Sequence, residues 1–391
     1  MSSAYLLKRN VPSRRNIRHR RGATLILTVA MMFMLFSFLA FGIDTGYLSQ
    51  SRAEIRRTAD AAALAGCWEL YEQLDAGQTA AAAMPQVRLA CADMAGRNPV
   101  CRLNPQLDTS VTTQEISIGY TNDIRAANIT ANPADPYFAV RVTVNKNAER
   151  NGEVPFFFGR IFGASGQAMQ AQATAIMARQ IRGFSMPPTG DWHVDVLPFA
   201  LDQDTWNALL ANNAEDSYRY NPADQSVTGG SDGVLEVNLY PQGTGSPGNR
   251  GTVDIGGANN STSDIARQIV HGISADDLAA LGKPLVLDGD GVMSLNGDTG
   301  ISAGVKDELA SIIGQKRIIP IFSSVSGNGN NANYTIVKWV GVRIMDVRLT
   351  GKMSGKKLVV QPAPVLARWG VSATSGTSWS DNLLSPVMLA R

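Results

Sequence analysis

ATLILTVAMMFMLFSFLAFGIDTGYLSQSRAEIRRTADAAALAGCWELYEQL, residues 23–74, divides at Asp44. Its first part, Ala23 to Ile43, contains no charged residue. As a helix that part is about 31 Å long at about 1.5 Å per residue, close to the thickness of a bilayer's hydrocarbon core. It holds 11 Leu, Ile, Phe or Val residues. Their summed preference for insertion is on the order of −3 to −7 kcal/mol before polar terms. Residues 23–43 therefore read as a transmembrane helix whose partner is the lipid bilayer.

From Asp44 the helical pattern continues with a different surface. Leu48, Ile55, Ala59, Ala62, Ala63, Gly66, Leu70 and Leu74 recur at spacings of three and four, giving one narrow face of mostly small residues. Alanine is the strongest helix former, so local preference agrees with the periodicity. A face of Ala and Gly lets another backbone approach closely. Two occupants fit it: the chain's own folded domain, the preferred reading, or a partner protein across Ala59, Ala62, Ala63 and Gly66. Gly77 is expected to end this helix. Thr79 then caps a second Ala-rich helix running toward Gly96, with Pro85 near its start.

The charge is segregated along the chain. The 391 residues carry a net charge of only +2. Yet Lys8, Arg9, Arg14, Arg15, Arg18, Arg20 and Arg21 all lie in residues 1–22, which hold no acid. The 28 remaining basic residues face 33 acidic ones, so residues 44–391 carry −5. Arg20 and Arg21 flank the span on one side and Asp44 on the other, which puts the N-terminus in the cytoplasm and the body outside. Three other signals can be sought in the same region. Ala40-Phe41-Gly42 is a poor signal-peptidase site. Ser13-Arg14-Arg15 is followed by Arg18 where a twin-arginine signal wants an apolar residue. Leu64-Ala65-Gly66-Cys67 imitates a lipoprotein box but lacks an apolar core before it.

Beyond the helices the period changes. Glu115 to Tyr120 and Tyr137 to Val144 alternate as strands, the second with Phe138, Val140, Val142 and Val144 on one face. Pro155 is expected to open a short apolar helix, PFFFGRIFG, closed by Gly163 and burying Phe156, Phe158, Ile161 and Phe162. Met169 to Ala178 reads as a strand. Residues 181–391 are richer in Gly, Asn, Asp, Ser and Pro. Their helical patterns are Asp204–Ala211, Ser263–Val270, Ser274–Leu281 and Val305–Ile313. Their strongest strands are Arg317–Phe322, Tyr334–Leu349 and Lys357–Gln361, with a bend or bulge expected at Gly341. No internal repeat or heptad array is visible.

Few residues offer chemistry. With 3 Cys and 3 His in the chain, a multi-ligand zinc or iron–sulfur site is nearly excluded. There is no nucleotide-binding glycine loop, no HExxH and no G-x-S-x-G elbow. His193, beside Asp191, and His271 are the histidine bases outside the tail and span. Asp288, Asp290 and Asp298 form a calcium candidate on an Asp-Gly loop that fails the EF-hand spacing; a plain turn is the preferred reading. Cys91 and Cys101 flank the Gly96–Pro99 turn and are the sterically easiest disulfide, against three free thiols. Basic and aromatic residues do not interleave into a stripe, which argues against nucleic acid.

Arg20-Arg21-Gly22-Ala23, Asp44, and Arg57-Thr58-Ala59-Asp60-Ala61-Ala62-Ala63-Leu64-Ala65-Gly66 together resemble the N-terminal region of TadG-like proteins of Flp-type (tight-adherence) pilus assembly. Looser likeness extends to Val154–Gly163, Ala173–Ala178, Leu197–Ala200, Arg317–Phe322, Gly327–Tyr334 and Val359–Ala363. The resemblance implies a bacterial envelope protein, not an enzyme, that works with other tight-adherence pilus assembly proteins. Two departures matter. Prepilin-peptidase substrates carry Glu five residues after the cleaved Gly, and that position after Gly22 is Leu27. The Asp-x-Ser-x-Ser metal motif of larger, von Willebrand-type relatives is missing.

These readings combine into an α+β protein. Residues 1–22 are a basic cytoplasmic tail and residues 23–43 a transmembrane helix. Residues 44–180 are a TadG-like helix with an α+β unit, and residues 181–391 a mainly β extracytoplasmic domain. No cofactor is implied. The expected role is a membrane-anchored structural or assembly component of a pilus or related envelope machine, in the bacterial inner membrane with its body periplasmic. The alternatives are an anchored adhesin or glycan-binding protein and, third, an anchored hydrolase.

Overall fold

The computed structural model describes residues 21–125, 128–187, 190–240, 250–257, 261–298, 300–327, 329–373 and 380–390. Residues 1–20 of the basic tail, Arg20 among them, lie outside the described residues. The chain forms two compact units. One contains the described residues up to Ala53 with Lys146–Met169, and the other contains Glu54–Asn145 with Gln170–Arg391.

Helix α1 runs unbroken over Arg21–Asp75, 55 residues. Among the described residues it is the one helix long and apolar enough to cross a membrane. Leu25, Ile26, Phe33, Phe36, Phe38 and Phe41 are all exposed on it, as a lipid-facing segment requires. Gly77, at φ +81°, ends the helix, its N–H bonded to the Leu74 carbonyl at 3.0 Å. Helix α2 spans Ala80–Arg97. Thr79 caps it by accepting the Ala82 N–H through its hydroxyl.

The remainder of the first unit is a small hairpin. Strand Val154–Pro155 pairs antiparallel with Gly166–Gln167, and Phe156 N–H closes the loop onto the Ser165 carbonyl at 3.1 Å. The expected apolar helix with a buried face is absent. A single 3-10 turn, Gly159–Phe162, takes its place and buries none of its residues. Two glycines and a proline in nine residues leave too little chain for the two turns a helical face needs. Gly163, at φ +84°, closes the turn as expected.

In the second unit, Ile116–Thr121 and Tyr137–Lys146 pair antiparallel. With Met169–Ala178 and the C-terminal Met388–Leu389 they form a four-stranded sheet. A larger sheet follows the order 237–238, 357–362, 332–348, 293–298, 250–253, 199–202, 316–326, and its last strand pairs again with Ala332–Arg348. Five strands thus close into a ring, which removes their edges. Tyr334 is buried in the ring, its aromatic ring edge-on to Phe322 at 4.9 Å.

The long strand Ala332–Arg348 carries its irregularities away from Gly341. Register shifts fall opposite Ile321/Phe322 and Phe322/Ser324 in one neighbour, and between Ile344 and Asp346 against the other. Gly341 serves close approach instead. A Cβ there would lie 2.4 Å from the Asn382 carbonyl oxygen and 2.5 Å from that of Ala363.

The helical patterns of the C-terminal region resolve as Gln203–Leu210, Thr262–His271, Ala275–Leu281 and Lys306–Ser311. One hydrophobic cluster includes Tyr137, Ala139, Ile176 and Ala178 together with Phe184, Tyr334 and Trp339. Residues on either side of position 180 therefore share a core.

Gly341→Ala is expected to destabilise the folded body by about 2 kcal/mol or more, because two backbone carbonyls must move. Gly355→Ala, where a Cβ would meet nothing within 4 Å, should leave thermal unfolding nearly unchanged. Equal melting temperatures for the two variants would contradict the close-approach account.

Candidate functional site

Asp44 directly follows Ile43, the last residue of the uncharged run. A carboxylate on the surface of a helix has no intrahelical need for partners, and a buried one must find hydrogen bonds. Asp44 is 9 % exposed. Its Oδ1 accepts the Phe157 N–H at 2.8 Å and its Oδ2 the Gly159 N–H at 2.8 Å, with the Phe158 N–H bonded to both oxygens at 3.2–3.3 Å. These three amides lead into the 3-10 turn, where the chain cannot satisfy them itself. Asp44 thus works as a helix cap supplied by a distant segment. Burial alone pushes its pKa up, but the three amide donors outweigh burial and hold it below the ordinary carboxylate value. Tyr47, one turn further along α1, packs edge-on against Phe157 at 4.9 Å. Arg21, at the other end of the span, is the first residue of α1.

In the other unit, the small-residue face of α1 is occupied within the chain. Ala59, Ala62 and Ala63 have no exposed surface, and Ile55, Cys67 and Leu70 join them in the core. Ala83, Val87, Cys91 and Ala95 form the buried face of α2. At Gly66 a Cβ would lie 2.2 Å from the Cys91 sulfur, 3.1 Å from Val140 and 3.4 Å from Val87. The close approach that small residues permit is therefore used by α2 and the sheet, which leaves no room on this face for another protein. Polar bonds reinforce the seam. Thr58 Oγ1 donates to the Asn98 carbonyl at 3.0 Å, and Glu54 Oε2 accepts the Cys101 N–H at 2.8 Å. At the helix end, Lys316 Nζ meets Asp75 Oδ1 at 2.6 Å and donates to Tyr71 Oη at 3.1 Å.

The opposite side of the helix pair is open. Leu64, Ala65, Trp68, Met94, Pro386 and Val387 line an apolar groove there. Sequence periodicity missed it because Ala61, Leu64, Ala65 and Trp68 form a weaker stripe beside the dominant one.

The remaining candidate residues do not assemble into a reactive centre. No disulfide joins Cys91 to Cys101. Cys91 sits on the buried face of α2, where burial pushes its thiol up to about 12. Cys101 lies past the helix end in a left-handed conformation, φ +53°. The expected disulfide fails because α2 turns Cys91 inward, onto Gly66. Asp288 Oδ1 accepts the Asp290 and Val292 N–H groups at 3.0 Å, closing its own turn. Asp298 ends the strand Met293–Asp298, paired with Thr252. Among the described residues no group of three or more His, Cys, Asp or Glu could hold a metal ion. His193 Nδ1 lies 3.8 Å from a fully exposed Asp191 oxygen. Ser274, its strand partner, commits its hydroxyl to the Asp277 carboxylate in a capping box. His271 is exposed on the last turn of its helix.

Residues 22–83 match the family model for TadE/G-like Flp pilus assembly, and residues 60–175 match one for Tad-like Flp pilus assembly. The matched region contains both the Asp44 cap with its loop and the α1–α2 seam. No curated protein and no solved structure matches the chain.

Two outcomes follow. Asp44→Ala removes a charged acceptor from three amides and should loosen the 157–159 loop by about 1.5–3 kcal/mol, read as faster hydrogen exchange at Phe157, Phe158 and Gly159. In the native protein the cap's contribution is complete above the unfolded carboxylate's value of 3.8 and is lost as pH falls through the lower folded value. Unchanged exchange in the variant, or a cap that weakens with rising pH, would refute this. Separately, Ala62→Leu should overpack the seam by about 1–3 kcal/mol and lower the melting temperature; a face reserved for a partner would leave the isolated chain's stability intact.

Proposed function

We propose, from the premise that residues 22–175 are those of a TadG-like Flp pilus-assembly protein, that the chain is a single-pass, membrane-anchored structural component of that assembly machine. The observation that carries this reading is helix α1. Its first part is apolar and bare over the length of a bilayer, and its second part lies in the core of the folded body. The seven basic residues before the span favour a cytoplasmic N-terminus, hence an inner-membrane protein with a periplasmic body. Its partners are other proteins of the pilus-assembly system, reached through surfaces other than the Ala59–Gly66 seam. The role proposed is mechanical rather than catalytic.

The test is removal of the whole chain from a piliated host, with pili counted by microscopy and the wild-type protein followed through alkaline extraction of membranes. Loss of pili, with the protein retained in the extracted membrane, is expected. Normal pili with lost attachment would replace the assembly role by an adhesin. Release of the wild-type protein at alkaline pH would remove the anchor.

A further inference from the structure

The loop held by Asp44 has an apolar surface that the chain itself leaves uncovered. Ile161 is 78 % exposed, Phe162 73 % and Phe158 37 %. Phe157 is 57 % exposed as well, with one edge of its ring against Tyr47. Large side chains of this kind clustered on a turn of four residues mark a contact with something apolar.

The position of the loop says what that something is. Three loop amides bond to a carboxylate whose residue directly follows the uncharged run, at distances of 2.8–3.3 Å. The polar layer flanking the hydrocarbon is on the order of 5–7 Å thick on each side. A loop tied to Asp44 at hydrogen-bond range lies within that layer when residues 23–43 span the bilayer. Phe38, Phe41 and Ile43, which precede Asp44 on α1, are exposed apolar residues too. Arg160, also exposed, sits among them and suits a phosphate headgroup, its stem lying along apolar surface. Apolar anchors with a basic residue between them, at the depth of the headgroups, are what an interfacial membrane contact requires.

We propose that residues 158–162 form a second membrane contact. Phe158, Ile161 and Phe162 insert into the interfacial layer of the leaflet on the body's side, and Arg160 stays at the phosphates. The inference rests on the anchored reading of residues 23–43. Its consequence is orientational. A lone helix can rotate and tilt, whereas a helix with a lipid-embedded loop fixed to its exit point presents one side to the membrane. The Asp44 cap is what makes the loop and helix move together.

The test uses the full chain in vesicles of phosphatidylethanolamine and phosphatidylglycerol. Nitroxides are placed at Ile161→Cys, Phe162→Cys, Phe36→Cys and Thr228→Cys in a Cys101→Ser background. Cys67 and Cys91 are buried. Collision rates with oxygen, which partitions into lipid, and with a nickel chelate, which stays in water, give depth. Expected is an oxygen-dominated signal at 161 and 162, shallower than at 36, with a nickel-dominated signal at Thr228. Two positions guard against one label disturbing the loop. Nickel-dominated signals at both, with Phe36 in lipid, overturn the second contact and leave the anchor standing. A nickel-dominated signal at Phe36 overturns the anchor itself. Labels at 161 and 162 that are water-exposed in vesicles, and lose both collision partners only when other pilus-assembly proteins are added, overturn lipid in favour of a protein partner.

Discussion

One helix has to satisfy two different surroundings. Over residues 23–43 α1 exposes Leu, Ile, Phe and Met on all sides, a surface that water penalises and hydrocarbon accepts. From Ile55 onward the same helix has one apolar stripe, Ile55, Ala59, Ala62, Ala63, Cys67 and Leu70, that is buried, while Trp68 stays exposed on another side. Nothing breaks the helix between the two; Gly42 and Gly46 lie within it, and a Cβ at either would meet nothing. The backbone hydrogen bonds explain the continuity. In a bilayer every N–H and C=O must be satisfied internally, so the helix cannot end inside the span, and the strong helix formers that follow give it no reason to end at the boundary.

Small residues then decide how the body is built around the second part. Burying Ala contributes less apolar area than burying Leu, so this seam gains its stability from proximity. Gly66 brings the Cys91 sulfur against the α1 backbone, and Ala59, Ala62 and Ala63 let α2 and the sheet pack at the same short range. The same principle recurs in the large sheet. Gly251 and Gly297 leave space for the Tyr334 ring, where a Cβ would lie 2.0 Å and 2.9 Å from its atoms. Close approach makes these positions intolerant of added methyl groups.

Much of this was legible in the sequence because it depends on neighbours in the chain. The long apolar helix, the end at Gly77, the cap at Thr79 and the strand Met169–Ala178 all follow from local composition, period or turn chemistry. What was not legible depends on residues far apart. Cys91 and Cys101 look like a pair along the chain, yet Cys91 faces Gly66, which belongs to another helix. Gly341 looks like a bend, yet it is needed by Asn382 and Ala363, which the chain reaches later. Tyr137 and Trp339 lie in one hydrophobic cluster, a contact across some two hundred residues that no local pattern announces. Asp44 was visible as a charge at the end of the span, but its partners lie 113 to 115 residues away.

The segment PFFFGRIFG shows why apolar residues do not by themselves signify a core. Fully burying a Phe or Ile is worth about 1.5–3 kcal/mol, so a folding chain has every incentive to cover Phe158, Ile161 and Phe162. Here Pro155, Gly159 and Gly163 confine the segment to one tight turn, and Asp44 takes its free amides, so the turn is fixed with these side chains exposed. A buried carboxylate that holds apolar side chains in the open leaves them available to an apolar surface outside the chain. Because the uncharged run of α1 ends one residue before that carboxylate, the membrane surface is the occupant proposed for them.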